Sequence, residues 1–289
     1  MFNWLKGAIA GVAIACGIGR GDEPPRTRLV RARPAFIRSI EGRYDAAAIT
    51  DDNRRHWANA DGLSANAANS PEVRRRLRNN ARYEVANNSY ARGIVLTLAN
   101  DCVGTGPRLQ MLTDSPEANR QIEAAFSAWA DAVGLAEKLR TLRMAKAEDG
   151  EGFGLLVTNP ALEGSVKLDL RPLEAEQVAT PGFGLIPTDR KTSAVDGIIF
   201  DSFGNPVEYH ILKRHPGDAG LGAGLPQEAD PIPARSVIHY FRADRPGQAR
   251  GVPEITAALP LFAQLRRYTL AVIAAAETAA DVAMVIHTD

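Results

Sequence analysis

Apolar positions recur at helical spacing over the first half of the chain and at strand spacing over much of the second. Ser70-Pro71-Glu72 opens the first clear helical phrase. Serine can cap there, proline suits the first helical position, and an acid complements the positive end of the helix dipole. Leu77, Ala81 and Val85 follow four apart, and Ile94, Val95, Leu98 and Cys102 extend the stripe to Val103-Gly104-Thr105-Gly106-Pro107, where glycine and proline stop it. The same grammar returns at Ser115-Pro116-Glu117, with Ile122, Phe126, Trp129 and Val133 on one face; a further helix holds Leu135, Leu139, Leu142 and Met144. Residues 70 to 146 therefore read as helical, with Trp57 and Trp129 as core residues.

The texture changes at Glu148-Asp149-Gly150-Glu151-Gly152. Residues 153–157, 166–170, 195–200, 207–212 and 236–241 read as short strands between Gly, Pro and Asp turns, with Asp201 to Pro206 as a hairpin-like connection. A last helix is expected from near Glu254 to about Asp281, kinked near its start by Pro260, followed by a strand-like run, 282–287. A buried-looking apolar run at the terminus suggests a truncated polypeptide. The pattern sets four regions: a mobile N-terminal arm (1–43), a helical region (44–146), a β-rich region (147–250), and a long helix with the start of a truncated C-terminal region (251–289). The fold class is α+β.

Composition adds little: 289 residues, 45% hydrophobic and 24% charged, describe an ordinary globular protein. Thirty-four bases balance thirty-four acids, so no global field draws nucleic acid or anionic lipid. The distribution is uneven, with sixteen arginines against ten acids from 20 to 110, and seven bases against twelve acids from 111 to 187. That asymmetry suits head-to-tail subunit contacts or a phosphate-facing surface. Residues 20 to 43 form a Pro- and Arg-rich arm without apolar periodicity. The apolar run before Cys16 resembles a short signal segment, but it is too short to span a bilayer, and Ala13 replaces the large aliphatic residue usual three positions before a lipidated cysteine.

Chemistry is sparse. Lys191-Thr192 follows Arg190 rather than glycine, so there is no phosphate loop of the Gly-Lys-Ser/Thr kind, and no Gly-x-Ser-x-Gly elbow occurs. The five histidines show no ligand spacing, His210 and His215 included. No catalytic residue, cofactor or metal is expected. Arg74, Arg75, Arg76 and Arg78 would cover most of a helix circumference, so some must face a partner or water. Arg245, Gln248 and Arg250 sit in a Pro/Gly-bounded loop, where they could either fix a neighbouring subunit or orient the following helix within one chain.

A set of separated phrases carries more. Tyr44-Asp45-Ala46-Ala47, Asn53-Arg54-Arg55-His56-Trp57, Arg74 to Asn80, Asn87-Asn88-Ser89-Tyr90, Val103 to Gly106 with Leu109-Gln110, Asp149 to Phe153, Leu173 to Val178, Gly204 to Tyr209, Ile238 to Phe241 and Arg245 to Pro253 resemble, in order, lambda-type phage portal proteins. Arg245-Pro246-Gly247-Gln248-Ala249-Arg250-Gly251 is the most specific of them.

The resemblance implies a non-enzymatic subunit of a dodecameric, homo-oligomeric portal ring at the capsid vertex of a virion or prophage, with a channel for DNA packaging and ejection. Its implied partners are further copies of the chain, the terminase large subunit as a separate motor, head-completion and capsid proteins, and double-stranded DNA in the channel. No membrane is implied, and assembly would pass through the host cytoplasm. Arg74, Arg75, Arg76, Arg78, Arg245, Gln248 and Arg250 are then candidate subunit or DNA contacts. The family normally continues beyond the point where this chain ends. A membrane-anchored lipoprotein or a nucleic-acid-binding protein are the alternatives.

Overall fold

A computed structural model describes residues 50–181, 192–218 and 228–281. The chain divides into two compact units between Asp61 and Gly62. The N-terminal arm, Cys16 and the run 282–287 lie outside the described residues. In the first unit the short helix α1 (Asp51–Arg54) is held by reciprocal bonds between Thr50 and Asn53. Trp57 is not core there: it is half exposed, edge-on to His56.

The second unit begins with a helical layer: α2 (Ala65–Ala68), α3 (Pro71–Asn87), α4 (Ser89–Val103), α5 (Pro116–Ala132) and α6 (Leu135–Glu148). Both Ser-Pro-Glu phrases start helices, with the Ser70 and Ser115 hydroxyls accepting from the Val73 and Ala118 amides. The stripe from 70 to 103 is broken at Asn88. Its extended backbone (φ −128°, ψ 114°) ends α3, and its side chain accepts from Tyr90 N to start α4. A polar pair, Asn87-Asn88, supplies both a C-terminus and an N-cap, so the helix turns a corner where the apolar spacing alone runs straight on.

The strands form two antiparallel sheets. One has the order β2–β1–β7, with β1 (Glu151–Thr158) central between β2 (Leu168–Leu173) and β7 (Val237–Phe241). The other runs β3 (Ser193–Val195), β4 (Ile198–Phe200), β5 (Pro206–Leu212), β6 (Ala229–Pro233). The expected single strand 195–200 is instead a hairpin folding at Asp196-Gly197, both with positive φ. Strand β6 was not expected, because it carries Pro231 and Pro233; it is tolerated at the sheet edge, pairing only with β5.

Helix α7 (Leu259–Asp281) closes the described chain. It starts later than the expected position near Glu254, after the short 3₁₀ turn Thr256–Ala258, and so Pro260 occupies its second residue, where no intrahelical N–H is needed, rather than a kink.

Three apolar clusters hold the second unit. Ala81, Val85, Val95, Ala147, Ile255 and Phe262 join the helices. Phe153, Leu173, Val178, Ile198, Tyr209 and Ile211 join the two sheets. Val133, Leu135, Leu142 and Leu170 set α6 on β2, and Trp129 beside them donates its indole N–H to Leu168 O at 2.8 Å. Between the first two clusters lies a core that is charged.

A buried ionic hub as the candidate functional site

Glu151 begins β1 and is completely buried, which leaves a carboxylate tolerable only if every lone pair is used. Arg250 donates to it through Nε (3.0 and 2.9 Å) and Nη2 (2.7 Å), the Gly251 amide donates at 2.9 Å, and His239 Nε2 lies 3.0 Å away. The rest of the Arg250 guanidinium is spent on the chain itself. Its Nη1 donates to Val178 O and Asp196 O, and its Nη2 to Ala175 O. One side chain thereby fixes β1, the 3₁₀ turn Ala175–Gln177, the segment after it, and the β3–β4 turn.

The helix α3 supplies three more arginines at spacing four. Arg74 pairs with Asp196 and donates to Asn69 O. Arg78 places Nε 3.0 Å from Glu176 Oε1 and Nη1 3.6 Å from Glu151 Oε1, close enough for an ion pair but off the hydrogen-bonding direction, since neither nitrogen has a hydrogen-bond partner. Arg82 reaches Asp149 (2.6 Å), Glu176 (3.0 Å) and Glu174 (3.3 Å). Burial and the neighbouring charge of Arg250 pull Arg74 down to about 10 despite Asp196. At Glu176, burial is outweighed by Arg78 and Arg82, which hold its carboxyl low.

Backbone contacts tie the hub to the loop before it and to α2. Asn69 Nδ2 donates to Arg250 O at 2.9 Å, Gln248 Nε2 donates to the same oxygen at 2.8 Å, Ala249 N donates to Asn66 Oδ1, and Arg245 donates to Leu63 O at 2.9 Å. Gly150 (φ +90°) and Gly251 lie back to back: a Cβ on Gly150 would sit 2.4 Å from Val252 C, and one on Gly251 would sit 2.1 Å from Gly150 O. The Asp-Gly-Glu-Gly-Phe and Arg-Pro-Gly-Gln-Ala-Arg-Gly phrases, about a hundred residues apart, are thus two halves of one joint.

The seven arginine-loop and helix candidates separate cleanly. Arg74, Arg78 and Arg250 are 2%, 4% and 1% exposed and face inward, so in this subunit they are internal pins. Arg245 and Gln248 bind their own chain. Arg75 and Arg76 face outward, with Arg76 bonded to Glu72 at 2.8 Å. Part of the basic front meets the acidic middle within one subunit, where Arg78 and Arg82 close on Asp149, Glu151, Glu174 and Glu176, while Arg74 pairs with Asp196 beyond it. Spacing four among Arg74, Arg78 and Arg82 was the available signal, since it puts all three on one helix face.

A metal reading does not fit. Glu174, Glu176 and His215 offer atoms within 4.8 Å of one another. However, His215 Nδ1 accepts from Gly217 N at 3.0 Å, which leaves the proton of the neutral ring on Nε2, the atom facing Glu174 at 3.3 Å. Arg82 Nη2 already occupies the space between the two carboxylates. Elsewhere, a cleft of about 660 Å³ between α5, α6 and residues 105–109 is lined by Glu123, Phe126, Ser127, Asp131, Leu135 and Glu137.

Two groups at the centre of the hub, Glu151 and His239, titrate in the same direction, whereas burial raises the Asp149 carboxyl at its edge despite Arg82. Burial raises the Glu151 carboxyl, but Arg250 and His239 outweigh it and keep it far below the usual carboxylate range. Burial holds the His239 imidazole, stacked between Phe153 (4.3 Å) and Phe241 (4.2 Å), below its ordinary value despite Glu151. The unfolded chain takes up a proton at this histidine from about pH 6.5 downward while the folded chain resists it, so its contribution to stability is lost as pH falls below that point. The Glu151 contribution is complete above about pH 4.3 and is lost below it. The urea midpoint is therefore expected to fall between pH 7.5 and 5, and His239→Gln, which keeps a donor to Glu151 but cannot titrate, is expected to flatten that fall. A wild-type midpoint constant over this range would contradict the assignment.

The centre of this α+β subunit is a buried ionic joint in which Glu151, Glu176 and Asp196 are paired with arginines. The chain matches the phage portal proteins of the lambda family over residues 51–289 and belongs to that family. A search among curated proteins finds no match.

Proposed function

We infer that the chain is a structural subunit of the capsid-vertex portal, a closed ring of copies whose bore passes DNA during packaging and ejection. The family match across 51–289 carries this reading. The terminase large subunit would supply the energy, as the chain has no phosphate loop, and head-completion and capsid proteins would bind the outside. A dodecamer is the expected ring, assembled in the host cytoplasm and retained in the virion.

The charge distribution supports a conduit. Each neutralised phosphate adds affinity, and a channel must let its cargo move. The strongest cations of the hub are spent on internal carboxylates, which leaves Arg75 and Arg76 as the candidate outward contacts to a neighbouring copy or to DNA. Their removal is expected to leave the subunit intact: Arg76→Ala breaks a solvent-exposed pair and should change folding stability by less than about 1 kcal/mol in a urea titration.

Negative-stain microscopy and native mass spectrometry of purified protein test the reading. Closed rings with a central hole, and no nuclease or ATPase turnover, are expected. A uniform population of monomers in solution, together with its absence from virus particles, overturns it.

A further inference from the structure

Arg78 is buried in the hub with its donors unused. Its side chain is 5% exposed, and no described residue accepts a hydrogen bond from its guanidinium. Nε and Nη1 are sealed from solvent beside Glu176 and Glu151, off the bonding direction, whereas Nη2 is not sealed. A buried cation whose donors find no acceptor costs free energy, so an acceptor is called for at the open nitrogen.

The same side chain lines a cavity of about 350 Å³, at the small end of the range for ligand pockets. One wall is the start of α3, with Glu72, Arg75 and Arg78; facing it are the turn Ala175–Gln177, the residues after that turn and Asp196 of the β3–β4 hairpin. Much of the lining is apolar, from Pro71, Ala175, Val178, Ala179 and Pro216. Three acids also line it, and each is bonded to an arginine outside the lining: Glu72 to Arg76 at 2.8 Å, Glu176 to Arg82 at 3.0 Å and Asp196 to Arg250 at 3.1 Å. Arg75 is exposed and has no hydrogen bond or ion pair to a described residue. The two arginines of the lining are therefore the charges left over.

We propose that this cavity binds a carboxylate carried on a short apolar stem, the carboxylate held between Arg78 Nη2 and the Arg75 guanidinium and the stem lying along the apolar wall. A cation would meet two arginines and no free acid. A phosphate would bring a second negative charge close to three carboxylates, against a wall that has few donors to offer it. One carboxylate matches the two unused guanidinium groups, and its stem matches the remainder of the lining. A glutamate side chain of a protein partner and a free short-chain acid share this chemistry. The inference does not depend on the ring reading, and neither one fails with the other.

Thermal melting of the full chain at pH 7.5 in butyrate tests it, with chloride at equal ionic strength as the reference. Butyrate is expected to raise the melting temperature saturably, by roughly 3 °C at a tenfold excess over its dissociation constant. Butylamine, which has the same stem and a cation, and phosphate are expected to do no more than chloride. Two exposed substitutions leave the buried hub intact. Arg75→Gln is expected to weaken butyrate binding at least about tenfold through loss of a charge-assisted bond, and its melt in chloride separates a folding defect from a binding defect. Glu72→Gln removes a like charge from the lining and is expected to tighten binding about twofold, which a purely structural role for these residues would not produce. An acetylated and amidated Ala-Glu-Ala peptide distinguishes the sources. Peptide binding at least as tight as butyrate's assigns the occupant to an acidic side chain of a protein, butyrate binding alone assigns it to a free acid, and either result upholds the site. Three results overturn it: no saturable effect of butyrate or of the peptide, an equal effect in Arg75→Gln, or an effect of phosphate or butylamine as large as that of butyrate.

Discussion

Replacing Arg250 by methionine is expected to lower folding stability by about 3–5 kcal/mol, because removal of one partner leaves an uncompensated buried charge. Glu151 is fully buried and takes three nitrogen–oxygen contacts from this one guanidinium. Methionine preserves much of the volume and none of the donors, so the cost is chiefly electrostatic, with three backbone carbonyls also losing their partners. Urea unfolding measures it as a shift in midpoint at constant slope. Lysine should rescue little, because a single ammonium cannot reproduce the fork that serves Glu151 and the carbonyls together. A double-mutant cycle with Glu151→Met should recover only part of the loss, since His239 and the Gly251 amide then lack their acceptor. A midpoint unchanged in Arg250→Met would mean that Arg78, 3.6 Å from the same carboxylate, can take over, and that the hub is not the joint described.

Gly150→Ala is expected to be comparably damaging for a steric reason. Two costs combine: a positive φ, of order 1–3 kcal/mol, and overlap with the backbone of Val252 and Pro253, about 1–3 kcal/mol more, because neither main chain can move without disturbing the other. Gly204→Ala separates them. Gly204 has a similar φ of +86° but open space where the Cβ would go, so it reports the backbone term alone. Thermal melts of the two variants should therefore differ, with Gly150→Ala lower. Equal melting temperatures would show that the Gly150/Gly251 crossing relaxes freely.

Local grammar was legible where the information is local. Ser70-Pro71-Glu72 and Ser115-Pro116-Glu117 start helices because capping is settled within four residues. Glycine-bounded apolar runs gave most strands for the same reason. Errors arose where a neighbour decides. Pro231 and Pro233 argue against a strand until β6 is known to lie at an edge, and the apolar stripe through Asn88 does not reveal that the chain turns there. Trp57 has a core residue's chemistry yet stands half exposed, while Trp129 keeps one edge for a carbonyl of β2.

The charges mark the boundary most clearly. By itself, the amino-acid order determines the α+β class, the two capped helices, the resemblance of phrases such as Arg245 to Gly251 to portal proteins, and the charge surplus on either side of residue 110. It does not determine which arginines face inward, because a guanidinium on a helix has the same local preferences whether it meets water or a carboxylate. Only the tertiary structure, bringing residues 74–82, 149–151, 174–178, 196 and 250 to one point, decides that Arg74, Arg78 and Arg250 are internal pins. The physical reason is range: caps and turns are fixed by neighbours in sequence, whereas a buried charge is tolerated only by partners that distant parts of the chain deliver.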